Sequence, residues 1–212
     1  MRILVTGANR GIGAALVAAA AQRGHAPIAA TRPGQGGDVT FDVTDHAALA
    51  RAAAGTGPID ALINNAGIIG PNRQSTRDMD FDGFRRTLEV NTLAPLAVAQ
   101  AFLPNLHAGR APRILSISSQ MAWMGYAKSD RIAYRASKAA LNKVMQGLAT
   151  DLAEDGIAVA LVDPGWVRTD MGGAEADEDP AAVAAGIIAL AERLTLDQTG
   201  GFFTWRGERR AF

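Results

Sequence analysis

Tyr134 and Lys138 lie four positions apart in the run Tyr134-Arg135-Ala136-Ser137-Lys138. In a helix that spacing puts both side chains on one face, about one turn apart. A free phenol ionises near pH 10, too high for ready proton exchange at neutrality. An ammonium beside it favours the phenolate and draws that value down. The pair can then give a proton to an oxygen or take one from it. The spacing alone is a weak signal, because tyrosine and lysine meet this way on many helices. The only other tyrosine, Tyr126, has Asp130 at its fourth position and no such partner.

A second chemical feature lies at the N-terminus. Thr6-Gly7-Ala8-Asn9-Arg10-Gly11-Ile12-Gly13 follows a short apolar run and leads into an Ala/Leu-rich one. Each glycine has a task there: Gly7 in the tight turn, Gly11 where backbone nears a pyrophosphate, Gly13 where helix packs close. The first turn of the helix adds unpaired N–H groups and the positive end of its dipole. Together these read as a dinucleotide site, with Asn9, Arg10 and Ile12 also in the turn. NAD specificity needs an acidic residue at the end of the second strand to accept from the ribose 2′-hydroxyl. Here that strand ends Ala29-Ala30-Thr31-Arg32, with no carboxylate. Arg32 can instead pair with a 2′-phosphate, which favours NADP(H), NADPH over NADH.

The elements that must position these groups alternate. Ile3–Thr6, Ile28–Thr31, Val39–Asp42, Ala61–Asn64, Arg113–Ser118, Ala158–Val162 and Phe202–Trp205 read as strands. Their nearly continuous apolar runs suit parallel strands covered on both faces. Helical patterns over Gly13–Arg23, Asp45–Ala54, Asp80–Leu103, Tyr134–Glu154 and Pro180–Leu194 lie between most of them. The expected fold class is α/β: one domain over residues 1–212, a Rossmann-type doubly wound parallel sheet of about seven strands. Local signals support the boundaries: Gly24 after the first helix, Asp45 as an N-cap, Pro180 in a first turn. Only Arg32–Asp38 connects the second strand to the third, fewer residues than a crossover helix needs. Either a loop replaces that helix or the strand bounds differ by a few residues. Gly172–Asp179 reads as a loose, acidic surface loop.

With these motifs in order, the chain resembles the short-chain dehydrogenase/reductase family, whose turn is Thr-Gly-x-x-x-Gly-x-Gly. The resemblance runs on through Asp42-Val43, which it implies at the adenine, and Asn64-Asn65-Ala66-Gly67, a motif bordering the cofactor. Pro164, Gly165, Val167 and Thr169 match the nicotinamide-side motif. The resemblance implies cofactor contacts from Asn64, Ala66, Gly67, Tyr134 and Lys138, and places Arg10 where NADP-preferring members often carry a basic residue, which with Arg32 favours NADP(H). It also implies a catalytic serine after the fifth major strand, for which Ser119 is chosen over Ser118, and a helix asparagine, Asn91, on a water-linked proton path to the lysine. The run from Tyr134 to Asn142, with Gly165–Met171, looks most like the carbonyl-reductase-like subgroup that includes sniffer and C-factor proteins. Two departures mark the Gln120–Arg131 loop: Ala122 stands where glycine is common, and fifteen residues separate Ser119 from Tyr134.

The implied activity is hydride transfer between NADP(H) and an aldehyde, ketone or alcohol carbon. Two rivals stay open: a cofactor-binding signalling or regulatory protein on the same fold, and an NAD-dependent alcohol dehydrogenase. Met121, Trp123, Met124 and Trp166 flank the expected site, either as pocket wall or as core filling. The Gly/Ala-rich segment after Met171 suggests an open substrate site.

Composition narrows the field. The 212 residues carry 21 basic and 21 acidic side chains, which gives no electrostatic reason to expect nucleic acid or an anionic membrane. There is no cysteine, hence no thiolate chemistry, and His25, His46 and His107 lie too far apart for a metal site. The longest apolar stretch, Ala14–Ala21, is too short for a membrane span. The opening Met1–Gly7 lacks the apolar run of a signal peptide, so a soluble cytoplasmic protein acting on a small carbonyl or alcohol is expected. Family members pair through two long helices or stay single, so a homodimer and a monomer both fit.

Overall fold

A computed structural model describes residues 1–212. Seven strands make one parallel sheet: β1 (Arg2–Thr6), β2 (Ala26–Thr31), β3 (Val39–Thr40), β4 (Ala61–Asn64), β7 (Arg113–Ile117), β8 (Ala158–Asp163) and β9 (Phe202–Thr204). Their order is β3-β2-β1-β4-β7-β8-β9. Leu4 sits opposite Ile28 on one side and Leu62 on the other, and Ile114 continues the row to Val159. Because side chains alternate, Ile3 and Val5 face one layer and Leu4 the other. The first layer is α1 (Gly11–Gln22) and α6 (Pro180–Arg193), whose Leu16 and Ile187 pack on Ile3, Ile63 and Val162. The second holds α2 (His46–Thr56), α4 (Ala94–His107) and α5 (Ile132–Asp151), with Leu49, Phe102 and Met145 against Leu4, Leu62 and Ile114. Strand order reverses between β1 and β4, so a crevice opens beyond the carboxyl ends of the strands.

The expected strands are all present, shifted by a residue or two at their ends. Asp45 caps α2, accepting from the Ala48 amide at 2.9 Å. Asp179 caps α6 ahead of Pro180, accepting from Ala182 at 3.0 Å. Gly24 leaves α1 at φ +75°, a left-handed turn open to glycine. The short β2–β3 connection is indeed a loop. Thr31 Oγ1 donates to the Gly36 carbonyl, and the Ala29 amide donates to Asp38 Oδ2 at 2.8 Å.

Three expectations need correction. The helix read as Asp80–Leu103 is α3 (Phe81–Leu88), a π-helical turn (Glu89–Leu93) and α4, which passes Pro104 to reach His107. Pro95 has no N–H to give the Asn91 carbonyl, so the chain widens by one residue there and Ala94 donates to Glu89 instead. A hairpin of two-residue strands, β5 (Gln74–Ser75) and β6 (Asp78–Met79), lies where no element was expected. The stretch Gly172–Asp179 is not loose. Arg168 donates to the carbonyls of Ala176 and Asp177, and the Glu178 amide donates to the Trp166 carbonyl at 2.9 Å.

Candidate active site

The loops after β1, β2, β3, β4, β7 and β8 converge on one cavity of about 1060 Å³ at the reversal of strand order. One end is the glycine turn. Gly7 and Gly11 have φ of +65° and +54°, which only glycine adopts without strain. A Cβ on Gly11 would lie 3.3 Å from Thr169, and one on Gly13 only 2.2 Å from the Gly7 carbonyl oxygen. No side chain caps α1, so its first N–H groups face the cavity without a protein partner. The donors, the missing Cβ atoms and the dipole fit the pyrophosphate of a dinucleotide.

Asn9, Arg10, Ile12, Arg32, Asp42, Val43, Ala66, Gly67, Pro164, Gly165, Val167 and Thr169 also line this cavity. Gly13 and Asn64 do not. Gly13 is turned into the fold against Gly7, and Asn64 is buried, donating to the Pro95 carbonyl at 3.2 Å and to Ser116 Oγ at 3.3 Å. The last residue of a strand points to the opposite face from the next, so Asn65 borders the cavity in place of Asn64. Its carboxamide donates to the Thr6 carbonyl at 2.9 Å and ties β4 to the glycine turn.

At the adenine end the charges differ from expectation. Arg10 pairs with Asp170 at 2.7 Å, an exposed strap across the cavity mouth worth little in stability. Arg32 is exposed, and Arg86, which the sequence did not single out, joins it on the wall. Arg86 donates to Thr44 Oγ1 at 3.2 Å. Hydrogen bonds from Thr44, then the charges of Arg86 and Arg32, hold the Asp42 carboxyl below its ordinary value.

The other end holds the proton chemistry. Ser119 leaves β7 as the N-cap of a short 3₁₀ turn, Gln120–Ala122, accepting from the Met121 amide at 3.1 Å. Ser118 points the other way and donates to Asn142 Oδ1 at 2.6 Å. Lys138 is buried, and its Nζ donates to the Ile117 carbonyl at 2.7 Å, 5.8 Å from the centre of the half-buried Tyr134 ring. Burial alone draws this lysine down to about 8. Burial also pushes the Tyr134 phenol up to about 12, outweighing its hydrogen bond with the Ser119 hydroxyl. The charge of Asp163 raises it further, while Arg131 pulls the other way. The lysine therefore does not by itself acidify the phenol, against the expectation from spacing. Desolvation of both groups exceeds their attraction.

Asn91 is fully buried in the π-helical turn and does not line the cavity. Its carboxamide brackets Ile68, accepting from the amide at 2.9 Å and donating to the carbonyl at 2.8 Å, and also donates to Ser137 Oγ. A Cβ on Gly67 would lie 3.2 Å from its Oδ1, so glycine there spares the Asn91 carboxamide a tight contact, with Lys138 Nζ at an ordinary 3.7 Å.

Two positioning residues carry no sequence signal. Gln74 Oε1 accepts from the Tyr134 amide at 3.2 Å, fixing the first turn of α5 from the hairpin. Asp163, buried at the end of β8, accepts from the amides of Gln120 and Gly165, both at 3.0 Å, and pairs with Arg210 at 2.6 Å. One carboxylate thus joins the serine loop to the Pro164-Gly165 loop. Of the four flanking apolar residues, Met121 and Trp166 line the cavity. Trp123 instead packs edge-on against Tyr126, at 4.8 Å between centroids, and Met124 lies exposed outside the wall.

Comparison with known proteins agrees with this geometry. Residues 1–180 match the family model described as short chain dehydrogenase. The C-signal protein of Myxococcus xanthus is 39% identical over 154 residues, covering 72% of this chain and 92% of that protein. Among solved structures, the carbonyl reductase Sniffer of D. melanogaster superposes with a TM-score of 0.91 at 28% identity, covering 100% of this chain and 99% of that one. The NADPH-bound carbonyl reductase from chicken fatty liver gives 0.89 at 29% identity, covering 100% and 98%. The glycine turn, the serine–tyrosine–lysine end and these likenesses agree: the chain belongs to the short-chain dehydrogenase/reductase family of NAD(P)-dependent oxidoreductases, among its carbonyl-reductase-like members.

Proposed function

We propose that this protein reduces an aldehyde or ketone with NADPH, with Tyr134 as the proton donor. The observation that carries the reading is the convergence of Ser119, Tyr134 and Lys138 on the cavity that begins at the glycine turn. The turn and the N-terminus of α1 would hold the pyrophosphate, Arg32 and Arg86 a 2′-phosphate, and Pro164, Gly165, Val167 and Thr169 the nicotinamide side. When bound, NADPH supplies the hydride that forms the new C–H bond at the carbonyl carbon. Ser119 Oγ holds the carbonyl oxygen, and Tyr134 gives its proton to that oxygen as it becomes an alcohol. Lys138, fixed by the Ile117 carbonyl, would hold the nucleotide ribose of a bound NADPH. Asn91 steadies the Ile68 backbone behind it, at the π turn.

The phenol's own value favours reduction. At about 12 it keeps its proton throughout the neutral range, so it is charged with a proton to give. NADP-bound carbonyl reductases among the similar structures support the choice of cofactor. Oxidation of NADPH in the presence of aldehydes, ketones and quinones tests the reading, with Tyr134→Phe as control. Turnover by the parent chain and none by the variant is the expected result. The likeness to C-signal favours a second reading, in which nucleotide binding rather than turnover carries the biological role. That reading wins if Tyr134→Phe keeps the biological effect while losing reductase activity.

A further inference from the structure

Beyond Tyr134 the cavity carries charge that nucleotide binding does not use. Lys128, Asp130, Arg131 and Arg135 line this end together with Tyr126. Arg135 is occupied: its Nε donates to the Asp130 carbonyl at 2.8 Å, and its terminal nitrogen pairs with Asp130 Oδ1 at 2.9 Å. Asp163 beneath is neutralised by Arg210, and Asp170 by Arg10. Lys128 and Arg131 form no ion pair, and both are exposed to the cavity mouth. Asp177, on the opposite loop, is the one carboxylate of the wall facing them without a cationic partner, so the balance at this end is positive.

Arg131 stands out further by its backbone. Its φ of +51° and ψ of +43° are left-handed, a strained conformation for a residue with a Cβ, in the position immediately before α5. Arg131 lines the same end of the cavity as Tyr134, and its charge, the smallest of the influences on the phenol, favours the phenolate. An unpaired arginine fork on the cavity that holds the proton donor matches a carboxylate or phosphate on the same substrate. Met121 and Trp166 offer apolar surface for the part between.

We propose that the carbonyl substrate carries an anionic group, carboxylate or phosphate, and that Arg131 with Lys128 selects it. The proposal rests on the reductase reading above. Three aldehydes test it: 4-carboxybenzaldehyde, 4-formylphenyl phosphate and methyl 4-formylbenzoate, the neutral ester being the more electrophilic of the carboxyl pair. The expected ratio of kcat/KM, acid over ester, is about tenfold or more, expressed in KM. Arg131→Gln brings that ratio close to one, while Arg131→Lys keeps most of it. A ratio also measures correctly when the variant folds less well. The phosphate arm tells which anion is preferred. Calorimetric titration of the corresponding alcohols into the protein–NADP complex gives the same comparison without turnover. Binding that favours the acids and depends on Arg131, with no aldehyde reduced, would support the anion site and overturn the reductase reading. An ester preferred in both assays, or an acid-to-ester ratio unchanged in Arg131→Gln, would overturn the anion site.

Discussion

At the scale of single residues, the site is a contest between burial and charge. Lys138 lies at about 8 and Tyr134 at about 12 because each loses water that its charged form needs. The lysine should therefore lose its charge as pH rises through about 8, and with it the charge assistance of the hydrogen bonds it offers a bound ribose. NADPH affinity is expected to weaken over that range, read by fluorescence titration between pH 7 and 9.5. Lys138→Met should bind more weakly and show no such pH dependence. Arg32→Gln should raise the Kd for NADPH about tenfold, the size of one charge-assisted bond, and leave NADH nearly unaffected. Competitive titration with the two nucleotides decides this. That the glycine turn, Arg32 and the Tyr134–Lys138 pair lie on one cavity was legible from residue type and spacing, whereas the effect of burial on the pair was not. The choice of Asn65 over Asn64 turned on which way one side chain faces. That depends on where the strand ends, a boundary that apolar patterning sets only to within a residue or two.

At the scale of elements, strands and loops hold these groups through a few buried polar atoms. Asp163 is the clearest case, since its carboxylate joins Gln120, Gly165 and Arg210. Asp163→Ala leaves a partly exposed guanidinium and two amides without their carboxylate and should cost about 2–3 kcal/mol, seen as a lower urea midpoint. It should also depress kcat, because the serine loop and the Pro164-Gly165 loop lose their common anchor. The strands were readable as continuous apolar runs, a pattern that burial on both faces imposes. The π turn at Glu89–Leu93 was not, although Pro95 contains its cause. A proline near a helix start is ordinarily benign, and only the continuation of α3 into α4 makes its missing N–H matter. The β5–β6 hairpin escaped notice because two-residue strands carry no period.

At the scale of the whole molecule, the same two ionisable groups link stability to pH. Lys138 is depressed in the folded state, so the unfolded chain binds more protons between about pH 8 and 10.5. Stability should rise with pH through that window, by on the order of 3 kcal/mol in total, and the gain is lost as pH falls through about 8. Tyr134 acts oppositely: its folded value is raised, so its contribution is complete below pH 10 and disappears on approach to about 12. Urea unfolding of the parent and Lys138→Met between pH 7.5 and 9.5 measures the first effect; parallel curves would contradict it. In acid, Glu192 ties α6 to Arg23 and His25 and is held down at about 2 by these partners. Its contribution is present above its ordinary value and lost as pH falls towards 2. Reductase activity requires a protonated phenol facing a bound nucleotide. The most direct test is single-turnover reduction of an aldehyde by the preformed NADPH complex of the parent and of Tyr134→Phe. The account predicts NADPH bound by both and a reduction rate lower by about 10²–10⁴ in the variant. Equal rates in the two complexes would contradict it.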